Sequence, residues 1–349
     1  MVSRRFLLKR LLLLFPVVIG VASLVFAILH LAPGDPARVI AGRRASKEEV
    51  EQVRRALGLT KPIWIQYIDF LTDLATLDFG QSYILQRGRP VLEILRSKFP
   101  FTLELALYGQ IAGVLLGIPV GLAAAVKQDS VVDHGGRILA LSGISVPIFW
   151  SGPIFILIFA QFLNWLPATA PIASTFTLPR ITGMYTVDSF IVGVQGIMNG
   201  ESFSTAFAAF FSVLRHLLLP VLVIGIYSMA LISRMMRSSM LEVVRQDYMK
   251  TARAKGQGSK ITIMKHGFRN ALIPVVTVVG IQFGTLLGGA VLTETVFGLP
   301  GIGQMLVSAI KVGDYPVVQG TVLMFAFFFT LVNIGVDVTY SYLDPRIEQ

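Results

Sequence analysis

Between two long apolar runs lies Asp247–Pro274, DYMKTARAKGQGSKITIMKHGFRNALIP, where six lysines or arginines crowd into a chain that is only 14% charged. Such a stretch could hold phosphate through the glycines and Lys260 of GQGSKIT, or dock a partner electrostatically. A phosphate loop requires G-x-x-x-x-G-K-[ST] after a strand. Here Ser259 separates Gly258 from Lys260 in helical surroundings, so the phosphate reading fails. GLPGIG, after Glu294, matches a nucleotide loop only in glycine count and reads as a tight turn before a short helix, Gln304–Val312. His30, His134, His216 and His266 lie in different segments without metal-ligand spacing. The chain has no cysteine, which excludes disulfides, thiolate metal sites and cysteine nucleophiles. Glu104 and Glu294 sit in or near apolar runs, where a carboxylate is costly and tends to face a polar cavity. They are candidates for lining a translocation pathway. No Ser-His, paired-Asp or His-His-Asp arrangement recurs at helical spacing, so an intramembrane enzyme has no candidate residues.

The elements that must position these residues are set by hydrophobicity. Of the 349 residues, 54% are hydrophobic, and the mean hydropathy is +0.70, outside the range of an ordinary soluble domain. A bilayer core about 30 Å thick needs roughly 20 apolar helical residues per crossing. Six runs qualify: 11–31, 101–126, 138–163, 217–232, 271–292 and 316–336. The expected fold is therefore all-α, a polytopic membrane protein with six transmembrane helices. The first run follows SRRFLLKR but is longer than a signal core and has no clear small-residue cleavage site, so it reads as an uncleaved anchor.

Charge placement orients the spans. With the N-terminus inside, segments 1–10, 127–137, 233–270 and 337–349 hold 16 Lys or Arg, whereas outer loops 164–216 and 293–315 hold only Arg180, Arg215 and Lys311. The remaining outer segment, 32–100, is mixed in charge and too long for the rule to apply. A net charge of +10 scattered among apolar spans does not suggest nucleic acid.

Within 32–100, Ser46 and Glu49 form a capping-box pattern with Gly58 as a stop, and a helix after Pro62 places Trp64, Tyr67, Ile68 and Leu71 on one face. FSTAFAAFFSVL, in 164–216, could lie in the membrane interface. Pro147, Gly152 and Pro153 predict a kinked third span. Gly280, Gly284 and Gly288 recur every fourth residue, a spacing that admits a close neighbouring helix. Asp337 reads as a cap or ion pair. In the basic segment, Leu241, Val244, Tyr248 and Ala252 continue a helical period that Gly256 and Gly258 break. Ser259 then caps a short helix, Lys260–Arg269, with an Ile261, Met264, Phe268 stripe. The segment serves either as a topology marker on anionic lipid or as a docking helix for a cytoplasmic partner.

The same residues resemble the coupling loop of binding-protein-dependent ABC importer permeases, in their dipeptide and oligopeptide form. APGDP, LGLTKPIWIQYIDFL, DFGQS, RHLLLP, TETVFGLPGIGQMLVSAIKVGDYPVVQG and DVTYSYLDPRI are similar to that family in order and spacing, and the large insertion favours its B-type subunit. Lys250, Thr251, Ala252 and Gly256 occupy the loop positions. The acidic residue and first alanine of the broader superfamily are absent, and Pro274 lies five residues further from the glycine. The resemblance implies half of a pore for peptides, paired with a second, homologous permease, served by an external binding protein and driven by two ATPase subunits that hold ATP and Mg. It implies no cofactor in this chain and a location in the cell inner membrane, where the charge asymmetry above supports both termini being cytoplasmic. It assigns ATPase coupling to Ala252, Arg253, Ala254, Lys255, Gly256, Lys265 and His266. Relatives of this architecture also carry nickel or oligosaccharides. An ion-coupled secondary transporter is the other class, and it predicts paired intramembrane charges and an internal repeat, neither of which is clear here.

Overall fold

The structure, a computed structural model, describes residues 4–31, 35–42 and 44–343. The first three residues of APGDP and the end of the closing motif, from Asp344 on, lie outside the described residues. Among those described, the chain is helical, and the one β-type pairing is an isolated bridge between Gln81 and Pro90.

Five helices are long and apolar enough to cross a membrane: Leu8–Leu31, Val91–Val126, Ala208–Val244, Ser259–Phe297 and Tyr315–Thr339. A sixth crossing is a bent pair, Val131–Ser145 and Ile148–Phe162, turned by 106°. The bend falls where Pro147 follows the last turn, because the residue before a proline is driven out of the helical region. Gly152, beyond it, lets this segment approach Val296 and Phe297.

In chain order the helices are α1 (Arg4–Leu31), α2 (Pro36–Ala41), α3 (Lys47–Ala56), α4 (Ile63–Ala75) and α5 (Val91–Val126). Then come α6 (Val131–Ser145), α7 (Ile148–Phe155), which runs on through a π-helical segment to Phe162, α8 (Tyr185–Met198), α9 (Phe203–Ala206) and α10 (Ala208–Val244). Last are α11 (Asp247–Ala254), α12 (Ser259–Ile261), α13 (Arg269–Phe297), α14 (Ile302–Val312) and α15 (Tyr315–Leu343). The end of the bundle carrying α2–α4, α8 and α14 is called the outer end, after the charge asymmetry.

The bundle is built on α5 against α10. Gly109, Gly113, Gly117 and Gly121 form a stripe along α5, and a Cβ at each would collide with Ile224, Ser228, Ile232 and the Ser233 backbone in turn. Small residues at this spacing let two backbones approach where lipid supplies no hydrophobic drive. The Gly280 stripe works in the same way on α13: Gly280 packs on Val336 and Gly284 on Phe329 of α15, while Gly288 faces open space.

Helices do not stop where hydrophobicity stops. α5 begins ten residues before position 101, because Val91, Ile94, Leu95 and Phe99 form a second core with α14 and α15. FSTAFAAFFSVL divides at Phe207: Phe203–Ala206 make the short α9, and the residues from Ala208 on form the opening turns of α10, with Ala209 and Val213 buried. The capping box at Ser46 and Glu49 is present, and Gly58 ends α3 at φ +67°. α4 lies along α1, with Tyr67 Oη 2.6 Å from Ser23 Oγ and Gln66 Oε1 3.1 Å from His30 Nε2, while Trp64 and Ile68 remain exposed. Asp337 pairs with Arg10 at 3.1 Å, tying α15 to α1.

Candidate functional site

The basic segment folds as a joint between two spanning helices. α10 ends at Val244, α11 follows at Asp247, and the chain reverses at Gly256, whose φ of +77° is the left-handed region that glycine adopts at little cost. The expected short helix is not separate. Its first residues, Ser259–Ile261, pass through a π-helical turn, Thr262–Phe268, directly into α13, making Ser259–Phe297 one continuous helix. Nor does Ser259 cap it. Gly258 occupies the cap position without a side-chain bond, and Thr262 Oγ1 instead donates to the Gly258 carbonyl at 3.2 Å.

The inner face of the joint is packed and the outer face is free. Met249 of α11 is fully buried, and a Cβ at Gly267 would meet Met240 Cε at 2.6 Å and Met249 Cε at 3.2 Å, so Gly267 allows α11 to lie flat on the π-turn. Asn270 Nδ2 donates to Tyr248 Oη at 2.9 Å across the same contact. His266 Nε2 and Gln257 Oε1, 2.9 Å apart, lock the turn. The predicted coupling residues therefore divide by environment. Ala252 is buried beneath the joint, and His266 is half-buried and engaged within the turn, while Arg253, Ala254, Lys255, Gly256 and Lys265 are exposed. Lys260 and Arg269 are exposed as well. Ile261 and Met264 stand 56% and 46% exposed among these cations, an apolar knob with a basic rim. Lys250 is neutralised by Asp247 at 2.8 Å. Such a face suits a partner with an apolar cleft and an acidic edge.

A buried ion pair braces the joint from the side. Asp133 of α6 is fully buried and accepts from Arg237 Nε at 2.6 Å and Nη2 at 2.7 Å, with Arg137 Nη2 at 3.2 Å. This two-pronged contact fixes the first half of the bent span to α10.

The two acidic candidates occupy the opposite end. Both are buried and bonded within the subunit. Glu104 accepts from the backbone N–H of Tyr185 at 2.8 Å and of Thr186 at 2.7 Å, and from the Thr186 hydroxyl, so it caps α8. Glu294 accepts from Thr102 Oγ1 at 2.6 Å and from the N–H groups of Gly303 at 2.7 Å and Gln304 at 3.0 Å, so it caps α14. Helix N-termini carry orphan donors and partial positive charge, which is what a membrane-level carboxylate needs. The structure thus gives both residues helix-capping partners. A third carboxylate, Asp314, was not singled out in the sequence. It accepts from Ser82 Oγ at 2.6 Å and from the N–H groups of Tyr83, Ile84 and Leu85 at 2.9–3.1 Å. Asp314 thereby joins DFGQS to VGDYPVVQG, two motifs more than 220 residues apart.

Known proteins share this architecture. Residues 117–349 match the family described as binding-protein-dependent transport system inner membrane component, and residues 3–106 match the N-terminal component of the same systems. The chain is 44% identical to the dipeptide transport system permease protein DppB of Alkalihalophilus pseudofirmus and 42% identical to the di/tripeptide transport system permease protein DppB of Pseudomonas aeruginosa, with 98% of each chain covered. It is 40% identical to the glutathione transport system permease protein GsiC of Salmonella choleraesuis, again over 98% of both. Among solved structures, the inward-facing MetNI methionine ABC transporter superposes with a TM-score of 0.52 at 16% identity, covering 72% of this chain and 97% of that one, a likeness of fold alone.

Proposed function

Because the chain belongs to the family of binding-protein-dependent transport system inner membrane components, a multi-pass membrane family of permease subunits rather than enzymes, we propose that it forms half of an ATP-driven import pore for di- or oligopeptides. A second, homologous permease supplies the other half, an external binding protein delivers substrate, and two ATPase subunits holding ATP and Mg dock on the basic joint. The peptide class rests on the transport systems named for the relatives at 40–44% identity. Both termini are placed in the cytoplasm, a reading that the asymmetric distribution of Lys and Arg supports.

One observation carries the coupling step: the exposed knob, Ile261 and Met264, and the rim cations Lys260, Lys265 and Arg269 sit on the same continuous helix, Ser259–Phe297, whose last turn carries Glu294, where α14 is capped. At 1.5 Å per residue this helix is about 58 Å long. A displacement of Ile261 and Met264 by closure of the ATPase pair is therefore delivered to the outer end as a rigid-body motion, not absorbed in a loop. Arg253, Lys255 and Lys265 give the docking face its charge. Gly256 lets α11 and α12 meet at an angle, and Ala252 and His266 hold that angle.

The test is co-purification and uptake. Gly256→Pro, which cannot adopt a positive φ, is expected to lose ATPase co-purification or ATP-dependent peptide uptake, with the permease still inserted in the membrane. Normal uptake by this variant refutes the coupling reading.

A further inference from the structure

A cavity of about 570 Å³ opens at the outer end, between the close of the bent span and the first half of α10. Its polar lining is Gln161, Asn164, Arg215 and His216, and no carboxylate belongs to it. Both contributing segments put it at the edge of the hydrocarbon. The bent span ends at Phe162, two residues before Asn164, and the charge-free run of α10 begins at Leu217, directly after His216. Beside the lining residues in the chain, Phe162, Trp165, Leu214 and Leu218 all remain exposed. An exposed tryptophan among aliphatic side chains is what a membrane interface favours.

The basic side chains are fixed in place with donors to spare. Arg215 Nη2 donates to the Trp165 carbonyl at 2.9 Å, and among the described residues no other acceptor answers the guanidinium. His216 Nδ1 donates to the Ser212 carbonyl at 2.7 Å, so Nε2 is the ring nitrogen left for a ligand. Gln161 and Asn164 are exposed, and their amides have no partner among the described residues. An arginine anchored by one N–H keeps the rest of its planar fork, which fits the paired oxygens of a phosphate. A cation at the hydrocarbon edge is costly until a counter-charge meets it, and the anionic group that the bilayer itself supplies at that depth is the phospholipid phosphodiester. A small soluble anion would answer the cation alone. The exposed Phe162, Leu214 and Leu218 ask in addition for hydrocarbon.

We propose that this cavity seats the phosphodiester head group of a phospholipid from the adjoining leaflet. Arg215 takes the phosphate oxygens through its remaining N–H groups, and His216, as the imidazolium, donates from Nε2. The amides of Gln161 and Asn164 meet the glycerol and ester oxygens, and an acyl chain descends along Leu214 and Leu218, one turn apart on α10. One lipid thereby ties the outer end of the bent span to that of α10. The site needs only the membrane location of the family, and neither the peptide class nor the coupling step enters into it.

The test adds phosphatidylglycerol carrying a diazirine in its head group to the purified complex of this chain with its partner subunits, washed free of native lipid in a maltoside detergent. After illumination, adducts are mapped by peptide mass spectrometry and are expected in segments 160–168 and 211–218. Unlabelled phosphatidylglycerol should suppress them, whereas diacylglycerol of the same chains and inorganic phosphate at the same concentration should not. Arg215→Gln is expected to lower the adduct yield about tenfold, the effect of losing a charge-assisted hydrogen bond, with partial recovery in Arg215→Lys, which keeps the charge but not the fork. Gln161→Trp, which fills the cavity from an exposed position, is expected to abolish the adducts and serves as the second variant should Arg215→Gln fail to accumulate. Absence of adducts from both segments overturns the proposal, as it would if the second permease covers the cavity in the complex. So does an unchanged yield in the variants. Suppression by diacylglycerol equal to that by phosphatidylglycerol would leave an apolar groove without a phosphate site, and equal suppression by inorganic phosphate would leave a small-anion site; either result overturns the assignment to a phospholipid.

Discussion

Asp314 holds the turn Ser82–Leu85 by four hydrogen bonds, and the buried Ser82 hydroxyl and the part-buried N–H groups of Tyr83 and Ile84 would lose their acceptor without it. A buried donor left without a partner costs about 1–3 kcal/mol, so Asp314→Ala is expected to lower stability by about 3 kcal/mol or more, read as a fall in the unfolding temperature in detergent. Asp314→Asn keeps one oxygen in place and should lose roughly half of that. An unchanged midpoint in the alanine variant would show that water replaces the carboxylate. Glu294 has a matching partner in Gly301, where a Cβ would run into the carboxylate group. Gly301→Ala is therefore expected to destabilise the outer end much as Glu294→Ala does, and the two changes should not add, because they disrupt one contact. At the other end, Arg253 and Lys265 lie on the exposed rim without an acidic partner among the described residues. Reversing both to Glu is expected to weaken ATPase binding at least tenfold while leaving the permease's own unfolding temperature unchanged. In the wild type that binding should weaken as salt rises, since exposed charges are screened over about 10 Å at 0.1 M.

Glycine stripes decide how the elements meet, and the two stripes make opposite predictions at different positions. Gly117→Leu places a side chain against Ile232 and the Met229 carbonyl, so it should prevent α5 from seating on α10 and abolish accumulation of the protein in the membrane. A Cβ at Gly288 meets nothing within 4 Å, so Gly288→Leu should accumulate normally. Membrane immunoblots of the two variants separate packing stripes from spacing alone. The period-four rule that picked out Gly280 applies equally to Gly109–Gly121, so that contact was legible, as were the capping box at Ser46, the break at Pro147 and the turn at Gly256. Helix ends were less so, because an 18- to 20-residue apolar window cannot follow α5 past Glu93, Arg96 and Lys98 into an amphipathic extension that is buried by α14 and α15. The continuity of α12 with α13 was also hidden. Gly258 and Ser259 read as a start, but nothing local distinguishes a short helix that stops at Arg269 from one that runs on. The carboxylate caps were the least accessible part. Glu104 meets its partners 81 and 82 residues away and Asp314 meets its own more than 220 residues away, so their jobs depend on tertiary placement that no periodicity encodes.

At the scale of the whole molecule, the basic joint and the carboxylate-capped helices lie at opposite ends of the same bundle, joined by the continuous helix Ser259–Phe297. This polarity has meaning for import only if the joint faces the cytoplasm, where ATP is available, and the caps face outward, where a binding protein can reach them. The natural absence of cysteine makes the orientation directly measurable, since any introduced thiol is the only one in the chain. Ser174 lies exposed in the loop before α8, and Ser259 lies exposed at the start of the continuous helix. In spheroplasts, a membrane-impermeant maleimide is expected to label Ser174→Cys directly and Ser259→Cys only after permeabilisation. Neither position touches the buried contacts that hold the bundle, so both variants should retain ATP-dependent uptake before labelling. Modifying Ser259→Cys from the inside should then impair uptake, because a bulky adduct beside Ile261 blocks the docking face. The reverse labelling pattern would place the basic joint outside and remove the physical basis for coupling to a cytoplasmic ATPase.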